Sequence, residues 1–103
     1  MKQFDICENL HRTTAPRAPL VVVLQSDLLE PVEVRLVAPL VHASLMTPIK
    51  RLMPEFSVAG NPYILSMLEL VSLRRQLVGK TIGSLGAERD KIMSAFDLLI
   101  LGF

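Results

Sequence analysis

Apolar and polar residues alternate over Gln3 to Cys7, with Phe4 and Ile6 on one side and Asp5 and Cys7 on the other. Such alternation marks a half-buried strand, the first that the chain predicts. Leu20 to Gln25 differs: it is β-branched-rich and nearly all apolar, as in a central strand covered on both faces. Alternation returns in Val32 to Ala38, where Val32, Val34 and Leu36 oppose Glu33 and Arg35. Pro39 has no N–H to give a ladder and is expected to end that strand. Glu55 to Ala59 alternates with Phe56 and Val58 inward, and Gly60-Asn61 is a hairpin signal. Pro62 suits only the opening of an edge strand; Tyr63 to Ser66 runs back and continues toward Val71, and Val78 to Ile82 is a last short strand.

The period changes near the end of the chain. Over Ala87 to Phe103, the residues Ile92, Phe96, Leu99 and Phe103, with Leu85 just before them, recur on one face of a helix of about 3.6 residues per turn. Ser84 is placed to cap its start, Glu88 lies near its positive end and Gly102 stops it. Leu98, Ile100 and Leu101 are left over. That second apolar face is either sunk in the chain's own core or covered by another molecule. An aromatic residue after the stop favours the second, since chain ends are usually polar. Asn9 to Pro19 holds two prolines, His11, Arg12 and Arg17 and little to bury, so it reads as an exposed, mobile loop. Ser26-Asp27 suits a turn or a cap, Val41 to Leu45 is short and apolar, Thr47 to Pro54 is a connector, and Leu73 to Leu77 is a short helical turn or linker. Short strands followed by one helix predict a single domain over residues 1–103, a mainly β barrel or sandwich closed by a C-terminal α-helix.

Composition adds a partner to this picture. Half of the 103 residues are apolar and mean hydropathy is +0.43. A domain this small leaves much of its surface exposed, so the excess points to a dimer or a standing partner. The longest apolar run, Leu20 to Leu24, is five residues, against about 20 needed to cross a bilayer. Asp5 and Glu8 interrupt the stretch where a signal peptide would be apolar. The expectation is a cytoplasmic protein with no membrane partner. Cys7, the single cysteine, has no internal disulfide partner, in keeping with a reducing compartment. Eleven basic against ten acidic residues give a net charge of +1, too balanced for nucleic acid as the main partner.

Catalytic and metal chemistry finds little support. Gly79-Lys80-Thr81 resembles the end of a phosphate loop, but the glycine required five positions earlier is Arg74. Cys7, His11 and His42 are the only soft metal ligands, and a zinc site needs three or four that converge. His42 has no nearby carboxylate to orient it as a triad base. Glu30, Glu33, Glu55 and Glu69 read as solvated strand edges rather than an acid and a base. The doublets Lys50-Arg51 and Arg74-Arg75 read as solvated surface, since no aromatic residues interleave them. No catalytic residue, metal or cofactor is expected.

Four segments together resemble a known family: Gln3-Phe4-Asp5, Gln25-Ser26-Asp27-Leu28-Leu29, Arg35-Leu36-Val37-Ala38-Pro39-Leu40 and Phe96-Asp97-Leu98-Leu99-Ile100-Leu101-Gly102-Phe103. In order and spacing they resemble the CcdB toxins of toxin–antitoxin modules, over nearly the whole chain. The resemblance implies an SH3-like small barrel with a C-terminal helix, and a homodimer. It further implies a toxin that binds the A subunit of DNA gyrase and traps the enzyme on cleaved DNA. A cognate antitoxin would neutralise it, and the two together would bind operator DNA and repress their operon. Carried over by position, the gyrase contacts are Leu28, Leu29, Asp97, Ile100, Leu101, Gly102 and Phe103, and the antitoxin surface includes Asn9, His11, Arg12 and Arg17. For Leu28 and Leu29 the residues alone leave core packing and contact equally open. The ending Leu101-Gly102-Phe103 replaces the Trp-Gly-Ile of the family's best-known member, exchanging an indole for a leucine while Phe103 returns an aromatic ring.

Two other functions compete with gyrase poisoning. One is a gyrase-inactive homologue that only binds an antitoxin and acts as a co-repressor. The other is a ribonuclease like the related MazF toxins, with His11, Arg12 and Arg17 approaching RNA. That function needs a convergent acid–base pair, which the spacing does not reveal.

Overall fold

The computed structural model describes residues 1–103. Its elements in order are β1 (Asp5–Asn9), β2 (Leu20–Val23), β3 (Val34–His42), β4 (Glu55–Val58), β5 (Asn61–Leu65), β6 (Val71–Arg74), β7 (Val78–Ser84) and α1 (Arg89–Leu101), with 3₁₀ turns between several of them. All strand pairs are antiparallel, in the order β4-β5-β3-β2-β1-β7, and β6 lies beside β3. The fold is therefore mainly β with one C-terminal helix, as expected. The barrel is a half-barrel, because its outermost strands, β4 and β7, do not pair with each other.

Strands β1, β2 and β3 alternate between two apolar clusters. Cys7, Val21, Val23, Val37, Leu73 and Val78, one or two from each of β1, β2, β3, β6 and β7, form the smaller cluster. The opposite face carries the larger cluster, in which Ile6, Val22, Ala38 and Leu40 pack with Phe56, Ile64, Met67 and, from α1, Ile92 and Ala95. Leu20 to Leu24 reads as nearly unbroken apolar sequence because both faces of β2 are covered.

Several boundaries differ from expectation, each for a local reason. β1 begins at Asp5 because Phe4 adopts φ 69, outside the extended region. β3 runs straight through Pro39 to His42. The N and O atoms of one strand residue point to the same edge, and the Pro39 carbonyl accepts from Ser66 N–H at 2.9 Å. The missing proline donor therefore falls in the gap where β5, paired to Leu40–His42, gives way to β6, paired to Val34–Val37. β5 stops at Leu65 for the same reason, and a 3₁₀ turn at Met67–Glu69 carries the chain across the gap. The hairpin turn is Ala59-Gly60, one residue earlier than predicted, with φ 51 and 80; both positive angles suit the right-handed twist of the flanking strands. Ser84 does not cap α1: its Oγ accepts from Gly86 N–H at 3.0 Å just ahead of a 3₁₀ turn at Gly86–Glu88, and Glu88 holds the cap position where α1 starts. No helix is long and apolar enough to cross a membrane.

Candidate partner-binding surfaces

Along α1 the inward residues are Ile92 and Ala95, flanked by half-buried Met93, Phe96, Leu98 and Leu99. The outward face carries Asp90, Ser94, Asp97, Ile100 and Leu101. Asp97 stands one turn before Leu101, so its carboxylate borders the apolar end of the helix. Gly102 adopts φ 81 and its N–H donates to Leu98 O at 3.1 Å, the left-handed cap that satisfies a last carbonyl and turns the chain off the helix axis. Phe103 consequently lies outside the core stripe to which its spacing assigned it, 82% exposed. Leu98, assigned to the surplus face, packs on the core instead. Ile100 and Leu101 are 60% and 59% exposed, so three large apolar side chains stand in water at the end of a capped helix.

The turn after β2 is held by its own polar residues. Ser26 Oγ accepts from Leu28 N–H at 3.2 Å, Asp27 Oδ1 accepts from Gln3 N–H at 2.7 Å, and the Gln25 amide donates to Val34 O and accepts from Leu36 N–H, both at 3.0 Å. Leu28 is 90% exposed at its apex and Leu29 is half out. Core packing is excluded for Leu28. Arg89 Nη1 donates to Gln3 Oε1 at 3.4 Å, tying this turn to the first residue of α1. The tip lies at the other end of the same helix, roughly 18 Å along its axis. Within one chain, the two apolar sets are therefore separate knobs.

The Asn9–Pro19 loop is more ordered than its composition suggests. Asn9 is buried, and its amide donates to Thr14 Oγ1 at 3.0 Å and Ala18 O at 2.8 Å while its oxygen accepts from His11 N–H at 3.0 Å. Its side chain is consumed in bracing the loop, unlike Arg12 and Arg17, which are exposed. Beneath the loop lies a cleft of about 400 Å³ floored by Val21, Pro39, Val71 and Leu73, with His11, Arg17 and Glu69 along its walls. Arg17 pairs with Glu69 at 2.7 Å. The Ser66 hydroxyl also donates to Glu69, and this bond, with the Arg17 contact, holds the carboxyl below the usual carboxylate range. Sequence reasoning left Glu69 as a strand edge and missed both Ser66 and this convergence with His11. The 58 positions separating Glu69 from His11 carry no signal of it.

Cys7 is fully buried in β1, near Thr81 Oγ1 at 3.4 Å, and burial pushes its thiol pKa up. His42, at the end of β3, packs edge-on to Tyr63 and accepts from Ser44 N–H through Nδ1 at 3.1 Å. The two residues and His11 sit on separate elements, and no three His, Cys, Asp or Glu side chains group as metal ligands would. Gly79-Lys80-Thr81 lies within β7, not at a strand-to-helix loop.

Among known proteins, the family described as CcdB protein matches residues 3–102. No curated protein matches the chain in sequence. The fold is similar to that of Mycobacterium tuberculosis toxin MazF-mt6, with a TM-score of 0.74 and 15% identity over 90% of this chain and 92% of that one. A structure described as an Mtb toxin is similar at a TM-score of 0.60 and 19% identity, covering 75% of this chain and 91% of the other.

Proposed function

The chain belongs to the CcdB family, and from that premise we propose that this toxin of a toxin–antitoxin module acts without catalysis, by binding the A subunit of DNA gyrase and trapping its DNA-cleavage complex. The observation that carries the reading is the uncovered tip, Ile100, Leu101 and Phe103 beyond a helix locked by Gly102. A few apolar anchors on a rigid element are how small proteins bind tightly. In a two-fold homodimer the tips occur twice, which enlarges the surface offered. Leu28 and Leu29 supply a second contact, and Asp97 a polar one at the rim. The loop carrying His11, Arg12 and Arg17 is the surface for a cognate antitoxin, and toxin and antitoxin together occupy operator DNA. Supercoiling and cleavage assays with cognate gyrase test this directly. Inhibition that disappears on removing Leu101 to Phe103 is expected; a wild-type protein without effect on either assay refutes it and leaves the antitoxin-binding co-repressor or the ribonuclease.

A second reading draws on a different observation. The fold is similar to that of a MazF toxin, and the cleft brings His11, Arg17 and Glu69 to one place. A ribonuclease needs such a convergence. Against it, Glu69 is engaged by Ser66 and Arg17 and its carboxyl is held ionised, which suits an ion pair better than a general acid. Sequence-specific cuts in total RNA that vanish in Arg17→Ala would favour the nuclease over the gyrase poison.

A further inference from the structure

Arg35 is the only charged side chain that the fold buries, 2% exposed. Taking a guanidinium out of water is costly, and buried ion pairs are weak contributors to stability, so its presence calls for another use. Its donors all go to the limb of chain returning from the Leu28 turn. Nη2 donates to Glu30 O at 2.6 Å, and Nη1 donates to Val34 O at 3.0 Å and to Val32 O. The Glu30 carboxylate lies 3.7 Å away and also pairs with Arg75 at 3.2 Å. From this limb the bonds run on to the apex: Val32 N–H donates to Leu29 O at 2.9 Å, and Glu30 N–H to Asp27 O at 3.1 Å. One buried cation thus braces the returning limb of a turn whose exposed leucine does nothing for the core.

We propose that Arg35 is a positioning residue for the Leu28–Leu29 knob, fixing the turn before a partner arrives. Binding then spares the cost of ordering the loop. The inference rests on reading Leu28 and Leu29 as gyrase contacts. The carbonyls that Arg35 holds belong to exposed residues, so in Arg35→Met they return to water rather than staying buried and unpaired.

The test uses the full chain carrying Arg35→Met, Arg35→Lys, Leu28→Ala and the Arg35→Met, Leu28→Ala pair. Arg35→Met is expected to melt close to the wild type. Amide exchange at Leu28, Leu29, Glu30 and Val32 rises about tenfold while the β2–β3 ladder is unchanged, and affinity for the purified A subunit of DNA gyrase falls about tenfold. In the Leu28→Ala background the same change costs no further affinity, because the knob it positions is gone. Arg35→Lys, with a single point charge, falls between, and supplies the comparison if Arg35→Met does not fold. Exchange at those four amides as slow as in the wild type overturns the proposal, as does an equal affinity loss with and without Leu28. A wild-type chain that does not bind the gyrase A subunit refutes the gyrase reading instead, and exchange alone then decides the role of Arg35.

Discussion

Ser66, Glu69 and Arg17 come from two regions of the chain and make one charged junction at the edge of the loop cleft. Glu69 has a folded-state pKa below its unfolded value, so its contribution is fully present above that unfolded value, about 4.3, and is lost as pH falls through the folded one. Ser66→Ala is expected to cost about 1 kcal/mol at neutral pH, less than is usual for a bond to a charge because the carboxylate is screened by solvent. Urea midpoints measured at neutral and acidic pH should converge between variant and wild type as the acid limit is approached. Cys7, enclosed and with its thiol disfavoured as thiolate, should react with a disulfide reagent near about pH 8 only as fast as the protein opens. A rapid stoichiometric phase would contradict its placement. At this scale the sequence is least legible. Asn9 and Arg35 are polar residues turned inward by hydrogen bonds to the loops beside their strands, Asn9 to Thr14 and Ala18 and Arg35 to Glu30 and Val32, and Leu28 is an apolar residue left outside. Neither inversion has a pattern, because each depends on how the neighbouring loop folds back, which residue type does not specify.

Elements were more readable than their limits. Alternation located most of the strands because each face of the sheet packs on a different cluster, and the helical stripe located α1. The boundaries missed at Phe4, Pro39 and Ala59 all turn on backbone geometry that residue type only constrains loosely. Ala59 is the most testable of these. It holds a positive φ beside Gly60 without the residue type such a turn prefers. Ala59→Asn, creating the favoured Asn-Gly pair, should stabilise the protein by about 0.5–1 kcal/mol, seen as a raised melting temperature. Gly102 gives the opposite case. A Cβ there meets nothing, yet φ 81 disfavours it, so Gly102→Ala should cost about 1 kcal/mol from conformation alone. Its larger effect should be on partner binding, since the end of α1 no longer presents Phe103 in one direction.

For the molecule as a whole, part of the apolar surplus that composition announced is left on the surface, and its two most exposed members, Leu28 and Phe103, stand on two knobs, the Leu28 turn and the tip of α1. Surface changes at such positions usually leave stability within about 0.5 kcal/mol of wild type. Leu101→Asp should therefore unfold at the same denaturant concentration as the parent while losing gyrase inhibition. A lowered midpoint would mean that the tip supports the fold after all.

The fork at Pro39 has a consequence for how the protein comes apart. β3 lends Val37 to one cluster and Ala38 and Leu40 to the other, so a single run of backbone serves as keystone for both. Neither half can melt and leave the other standing. Calorimetry should record one peak, with matching calorimetric and van 't Hoff enthalpies, and damage introduced at either end of that strand should be felt throughout.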